Sequence, residues 1–183
     1  QGVRMNGVLE GGQLRGGWLR WLVWGGALAM LLTPWVAMRF TDEVRWDGLD
    51  FAVFGSMLLV AGGLFELARW LARDNAYLLG AGIAVGAGFL TVWANLAVGI
   101  VGSERNPVNL GFFAVLALAL VAAAVARFRP RGLAWAMCLT ALAQLALASW
   151  LAVAGHGQAW VFTGVMCAAW LASAALFTRA RGR

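Results

Sequence analysis

Six long apolar stretches alternate with five short polar ones along this chain. The apolar stretches are residues 18–40, 51–71, 76–102, 108–127, 133–154 and 159–178. Each is close to or above the roughly 20 residues needed to cross a hydrocarbon layer. Lipid cannot hydrogen-bond an open backbone, so spans of this length are helical. The pattern predicts an all-α membrane protein with six transmembrane helices forming a bundle over 18–179. Residues 1–17 read as a lead-in and 180–183 as a tail, with Gln1-Gly2 resembling the remnant of a protease-site tag and Met5 a native start. The first stretch follows arginines as a signal peptide does, but it is too long and shows no small-x-small cleavage site. The third stretch exceeds one bilayer crossing, which predicts a helix that tilts or extends past the lipid. Pro34 predicts a loosened or kinked outer third of the first helix.

Composition strengthens the membrane reading. The chain is 62% hydrophobic and 12% charged, where soluble domains are about 45–50% apolar and about 25% charged. All 14 basic residues are arginine, so a retinal pigment on a lysine Schiff base is excluded. The arginines flank apolar stretches, so they read as topology signals and not as a nucleic-acid surface. Eleven of them (Arg4, Arg15, Arg20, Arg69, Arg73, Arg127, Arg129, Arg131, Arg179, Arg181, Arg183) fall on one side, and Arg39, Arg45 and Arg105 on the other. The positive-inside rule then predicts that both termini are cytoplasmic. Trp18, Trp21, Trp70 and Trp135 on the inner side, and Trp46, Trp150 and Trp160 on the outer, form the expected aromatic belts. Cys138 and Cys167 lie inside apolar stretches and read as packing residues.

A shift of 58 residues overlays Arg15, Arg73 and Arg131, Thr33 on Thr91, Trp35 on Trp93, Phe54 on Phe112, and Arg69 on Arg127. Three parallel copies of a two-helix hairpin, about 15–72, 73–130 and 131–183, are one explanation, and they predict a pseudo-threefold bundle. A regular up-down bundle with basic inner turns shows similar spacing without any repeat.

Few polar side chains interrupt the spans. Asn95 and Gln144 lie within them, and each is either a helix–helix hydrogen bond or a contact lining a pathway. Glu66 lies one or two turns from the inner end of the second helix. It is either a functional ionisable group or the partner of Arg69 three residues on. Trp93 shares the stretch that holds Asn95. Asp42, Glu43, Asp47, Asp50, Glu104 and the single His156 gather at the outer ends. They are either a solvated acidic face or a loose site, and their spacing fits no zinc or haem pattern. Gly80, Gly82, Gly86 and Gly88 sit within a span and read as helix-packing positions. Asn106-Pro107 reads as the start of the fourth helix.

The stretch from Trp93 through Asn95, Gly99, Gly102, Glu104 and Asn106-Pro107 to Asn109-Leu110 resembles a W-x-N-L-A-V-G-I-[IV]-G-S-E-x-N-P-x-N-L segment. This segment belongs to a family of small bacterial polytopic inner-membrane proteins with no assigned activity. The resemblance covers residues 93–110 and weakens over the rest of the third to fifth helices. It implies a multi-pass protein of the bacterial inner membrane. Arg105 replaces an acidic residue of the pattern, which weakens a cation site there.

No catalytic set, cofactor motif or metal motif is recognisable. The chain therefore reads as a non-enzymatic membrane protein: an accessory subunit, or a binder of a lipid or apolar ligand. Its expected partners are membrane lipids and a second copy or another membrane protein. A small transporter or channel, with a polar pathway near Asn95, Gln144 and Glu66, is the alternative.

Overall fold

A computed structural model describes residues 17–157 and 159–181. Residues 1–16, on which the expected tag remnant, the Met5 start and most of the lead-in fall, lie outside the described residues, and so does Arg183. Six helical spans long and apolar enough to cross a membrane are present among the described residues: α1 (Gly17–Ala37), α2 (Gly48–Leu71), α3 (Asn75–Ala97), α4 (Leu110–Val125, which reaches that length as Pro107–Val125 with the turn before it), α5 (Pro130–Val153) and α6 (Trp160–Arg179). A 3-10 turn, Pro107–Asn109, precedes α4. This is an all-α, six-span membrane protein.

The helix starts follow from their caps. The Asp47 carboxylate accepts from the backbone N–H groups of Leu49 and Asp50, while Asp50 accepts from the Asp47 N–H, a reciprocal cap that begins α2 three residues before the apolar run. Asp74 caps α3 through the Tyr77 N–H. Asn106 caps the 3-10 turn through the Val108 N–H, and Pro130 occupies the first turn of α5.

The third helix is shorter than its apolar run predicts. It ends at Ala97, not at 102. Gly99 and Gly102 adopt φ of +73° and +74°, which right-handed helix excludes. The apolar residues Val98, Ile100 and Val101 therefore belong to a loop, and Val101 is buried there against Phe112, Leu151 and Ala159. No extension past the lipid is needed. In α1, the Thr33 hydroxyl donates to the Ala29 carbonyl, and Pro34 is the only buried residue of the helix.

α6 packs closely against α5 and α3, and α4 packs on α5. α2 packs on α3, and α1 packs chiefly on α2 at the edge of the bundle. The main core lies between α3, α5 and α6, where Leu78, Met137, Met166, Trp170 and Phe177 are buried. Gly80 allows α3 and α6 to approach closely: an added Cβ would sit 3.3 Å from the Ser173 carbonyl oxygen, and the Ser173 hydroxyl donates to the Gly80 carbonyl at 2.8 Å. Gly86, by contrast, meets open space.

Three equivalent hairpins are not confirmed by this arrangement. α1 is peripheral while α6 is central. The overlaid landmarks have unlike surroundings. Trp35 is half exposed with the Arg39 guanidinium over its ring, whereas Trp93 packs on Phe54. Phe54 and Phe112 belong to separate aromatic groups.

Candidate functional site

The residues singled out in the sequence occupy different interfaces. Asn95 is buried on α3, and its amide donates to the Thr91 carbonyl one turn back at 2.9 Å. The Thr91 hydroxyl faces the Met166 sulfur across the α3–α6 seam. Gln144 is buried between α5 and α6, where its Oε1 accepts from the Trp170 indole N–H at 2.9 Å. Among the described residues, Asn95 Oδ1, Gln144 Nε2 and Thr163 Oγ1 have no hydrogen-bond partner. Each such atom costs about 1–3 kcal/mol when buried unpaired.

Glu66 lies elsewhere, between α1 and α2. One oxygen pairs with Arg69 at 2.8 Å; the other faces Arg20 at 3.5 Å and accepts from the Trp24 indole at 3.2 Å. Glu66 thus ties the peripheral helix to the bundle. Its side chain is 29% exposed and that of Arg20 is 68% exposed, so solvent screens the pairs. Glu66→Gln keeps an acceptor for Trp24 but loses both ion pairs. A double-mutant cycle of Glu66→Gln with Arg20→Gln, the ion pair that joins α1 to α2, should give a coupling of about 0.5 kcal/mol. A coupling near zero in detergent-resolved unfolding would show that the pair does not hold α1.

Trp93 belongs to an aromatic cluster between α2 and α3. Its ring centroid is 4.6 Å from that of Phe54 and 5.8 Å from that of Trp46. The outer polar residues are dispersed. Asp47 and Asp50 cap α2, Glu104 faces Arg105 at 3.7 Å, and His156 packs on Trp150. The Asp42 carbonyl accepts from Arg45, and the Glu43 N–H donates to Thr41. Among the described residues no three of His, Cys, Asp and Glu come close enough to hold a metal ion.

The concavity of this molecule is instead apolar, and the sequence reading did not find it. α2 and α4 face each other without close packing, and α3 lies between them. The result is a cleft of about 410 Å³, within the about 300–1,000 Å³ typical of ligand pockets. One wall is the Ser56–Leu71 part of α2, including Val60, Leu64 and Leu67. The floor comes from α3 (Ala81, Ala84, Gly88), with Met137 and Trp170 from α5 and α6. The far wall is Leu116, Ala119, Leu120 and Ala123 of α4. Val60, Leu67 and Leu120 are also exposed, so the cleft opens sideways, toward lipid. Among its lining side chains only Ser56, Tyr77 and Trp170 carry N or O atoms. Each is already hydrogen-bonded, to the Ala52 carbonyl, the Phe128 carbonyl and Gln144. The cleft therefore offers shape and dispersion contacts and no free polar handle along its length.

A signal for it did exist. Ala81, Ala84 and Gly88 on α3, and Ala119 and Ala123 on α4, recur at helical spacing. Such small residues usually mark close helix contact. Here the same residues leave room beside a gap.

Set against models of known families, curated proteins and solved structures, the chain matches none.

Proposed function

We propose that this chain is a non-enzymatic protein that holds a lipid or another apolar molecule in the α2–α4 cleft, acting as a binder or as an accessory subunit that presents it. The observation that carries this reading is the cleft itself: about 410 Å³, apolar throughout and open to the side. The setting we infer is the bacterial inner membrane with both termini cytoplasmic. The support is the arginine asymmetry, eight against three among the described residues, together with the resemblance over 93–110. Asn95, Gln144 and Glu66 line no common path, so a polar transport route has no geometric support here.

The test is extraction of lipid from protein purified out of native membranes. The wild type should retain close to one apolar molecule per chain through detergent washing. Ala84→Trp, which fills the cleft floor, should retain none while eluting as the same folded species. Equal retention by the two proteins would remove the reading.

A further inference from the structure

The cleft runs along α2 from Ser56 to Leu71, which is about 22 Å at 1.5 Å per residue. An elongated apolar cleft of that length has the shape of an extended hydrocarbon chain. The length exceeds the about 15 Å of hydrocarbon in one leaflet. At the end away from Phe89 and Val92, the cleft reaches Leu71, Tyr77 and Phe128. Those three residues also border a small notch whose other walls are Arg73, Arg127, Arg129, Pro130 and Arg181.

Charge is thus concentrated at one end of an uncharged slot. Arg73, Arg127, Arg129 and Arg181 are exposed, and among the described residues no carboxylate lies within ion-pair distance of any of them. The neighbouring acid, Asp74, is engaged by the backbone N–H groups of Tyr77 and Arg181. The α4–α5 turn is held in an uncommon shape: Arg127 and Phe128 both have positive φ, +50° and +55°. Residues with a Cβ adopt that region at a cost. The Phe128 N–H donates to the Ala123 carbonyl, and the Phe128 carbonyl accepts from the Tyr77 hydroxyl at 3.0 Å. The turn thereby holds Phe128 at the junction of slot and notch.

We propose that the occupant is an anionic phospholipid of the surrounding bilayer, with one acyl chain in the cleft and its phosphate against Arg73 and Arg127. This rests on the cleft being a lipid site and goes further by assigning the headgroup class. Transfer of a chain from bilayer to an apolar cleft gains little, because lipid is as apolar as the lining. Selectivity must then come from the arginines. Guanidinium groups are suited to bidentate phosphate contacts.

The experiment is native mass spectrometry of the full chain in detergent, titrated with phosphatidylglycerol and phosphatidylcholine of identical chains. Each arginine at a membrane surface is worth about fivefold in binding. The wild type should therefore prefer the anionic lipid by about twenty-five-fold for two contacts. Arg73→Gln/Arg127→Gln should bind both lipids equally, at the wild-type phosphatidylcholine level. Arg131→Gln/Arg179→Gln removes the same charge from the same face outside the notch and should keep the preference. Ala84→Trp, and Ala61→Phe on the opposite wall as a second variant, should bind neither lipid. The headgroup assignment is overturned if the Arg73/Arg127 variant keeps its preference, or if the Arg131/Arg179 control loses it to the same extent, which would mean general attraction to a basic face. Displacement of bound phosphatidylglycerol by equimolar oleate or by millimolar inorganic phosphate would equally overturn it, assigning a free fatty acid or a free anion. If Ala84→Trp and Ala61→Phe both bind like the wild type, it is the cleft that fails, whatever the arginine variants do.

Discussion

Trp170→Ala is expected to destabilise the bundle by about 4 kcal/mol, within the about 3–5 kcal/mol typical of deleting a buried aromatic. Trp170 is the largest fully buried side chain of the described residues, 1% exposed, and it closes the cleft floor from α6. Helices that separate in a bilayer stay in an apolar solvent, so most of the usual water-transfer contribution is missing. The cavity contribution remains, at about 24 cal/mol per Å³ of space that the neighbours do not refill. A second loss adds to it. The indole is the only hydrogen-bond partner of the Gln144 side chain, whose Nε2 is already unpaired. Trp170→Phe separates the two contributions, since it keeps most of the volume and loses the N–H. It should cost about 1–2 kcal/mol. Reversible unfolding in mixed micelles measures both. Equal costs for the two variants would show that the hydrogen bond, and not the packing, fixes this position.

Gly99→Ala should cost about 2–4 kcal/mol, combining left-handed backbone strain with a backbone clash. At φ +73°, an added Cβ would fall on the carbonyl carbon and oxygen of Ser103 and lie 2.6 Å from the Glu104 nitrogen. All three are main-chain atoms, so no side chain can swing away. The loop that would have to open is organised by Asn109, which is 3% exposed. Its Oδ1 accepts from the Val101 N–H at 2.9 Å, and its Nδ2 donates to the Ser103 carbonyl at 2.8 Å and the Val101 carbonyl at 3.3 Å. Asn106 adds a bond from its side-chain amide to the Val101 carbonyl. Hydrogen exchange at the Val101 amide should rise in Gly99→Ala. Gly102→Ala, whose Cβ would meet only the Asn106 side chain at 3.2 Å, should be milder. If Gly99→Ala leaves both stability and exchange unchanged, the loop is not held as described.

Seen in this light, the 93–110 stretch is largely a piece of loop engineering. Gly99 and Gly102 provide the left-handed turns, Asn106 the cap of the 3-10 turn, and Asn109 the buried tie to Val101 and Ser103. Asn95 stands out in the sequence, yet Asn109 makes more hydrogen bonds. Both are asparagines beside apolar runs, and nothing local distinguishes the one that a loop will fold around. Likewise, Asp47 and Asp50 look like members of an acidic cluster until the chain direction at α2 makes them a cap.

The number and class of the spans were decided by the sequence alone, because the length of an apolar run and the need to satisfy backbone groups in lipid are local properties. The separation of basic from acidic ends was legible for the same reason. Where α3 stops was not, since hydropathy carries no record of φ and an apolar loop scores like an apolar helix. The cleft was least legible of all. Its walls are ordinary alanines, leucines, valines and phenylalanines on five helices and one turn. A cleft is made by which pair of helices does not pack closely, here α2 and α4, and that is settled only when all six helices compete for the same neighbours.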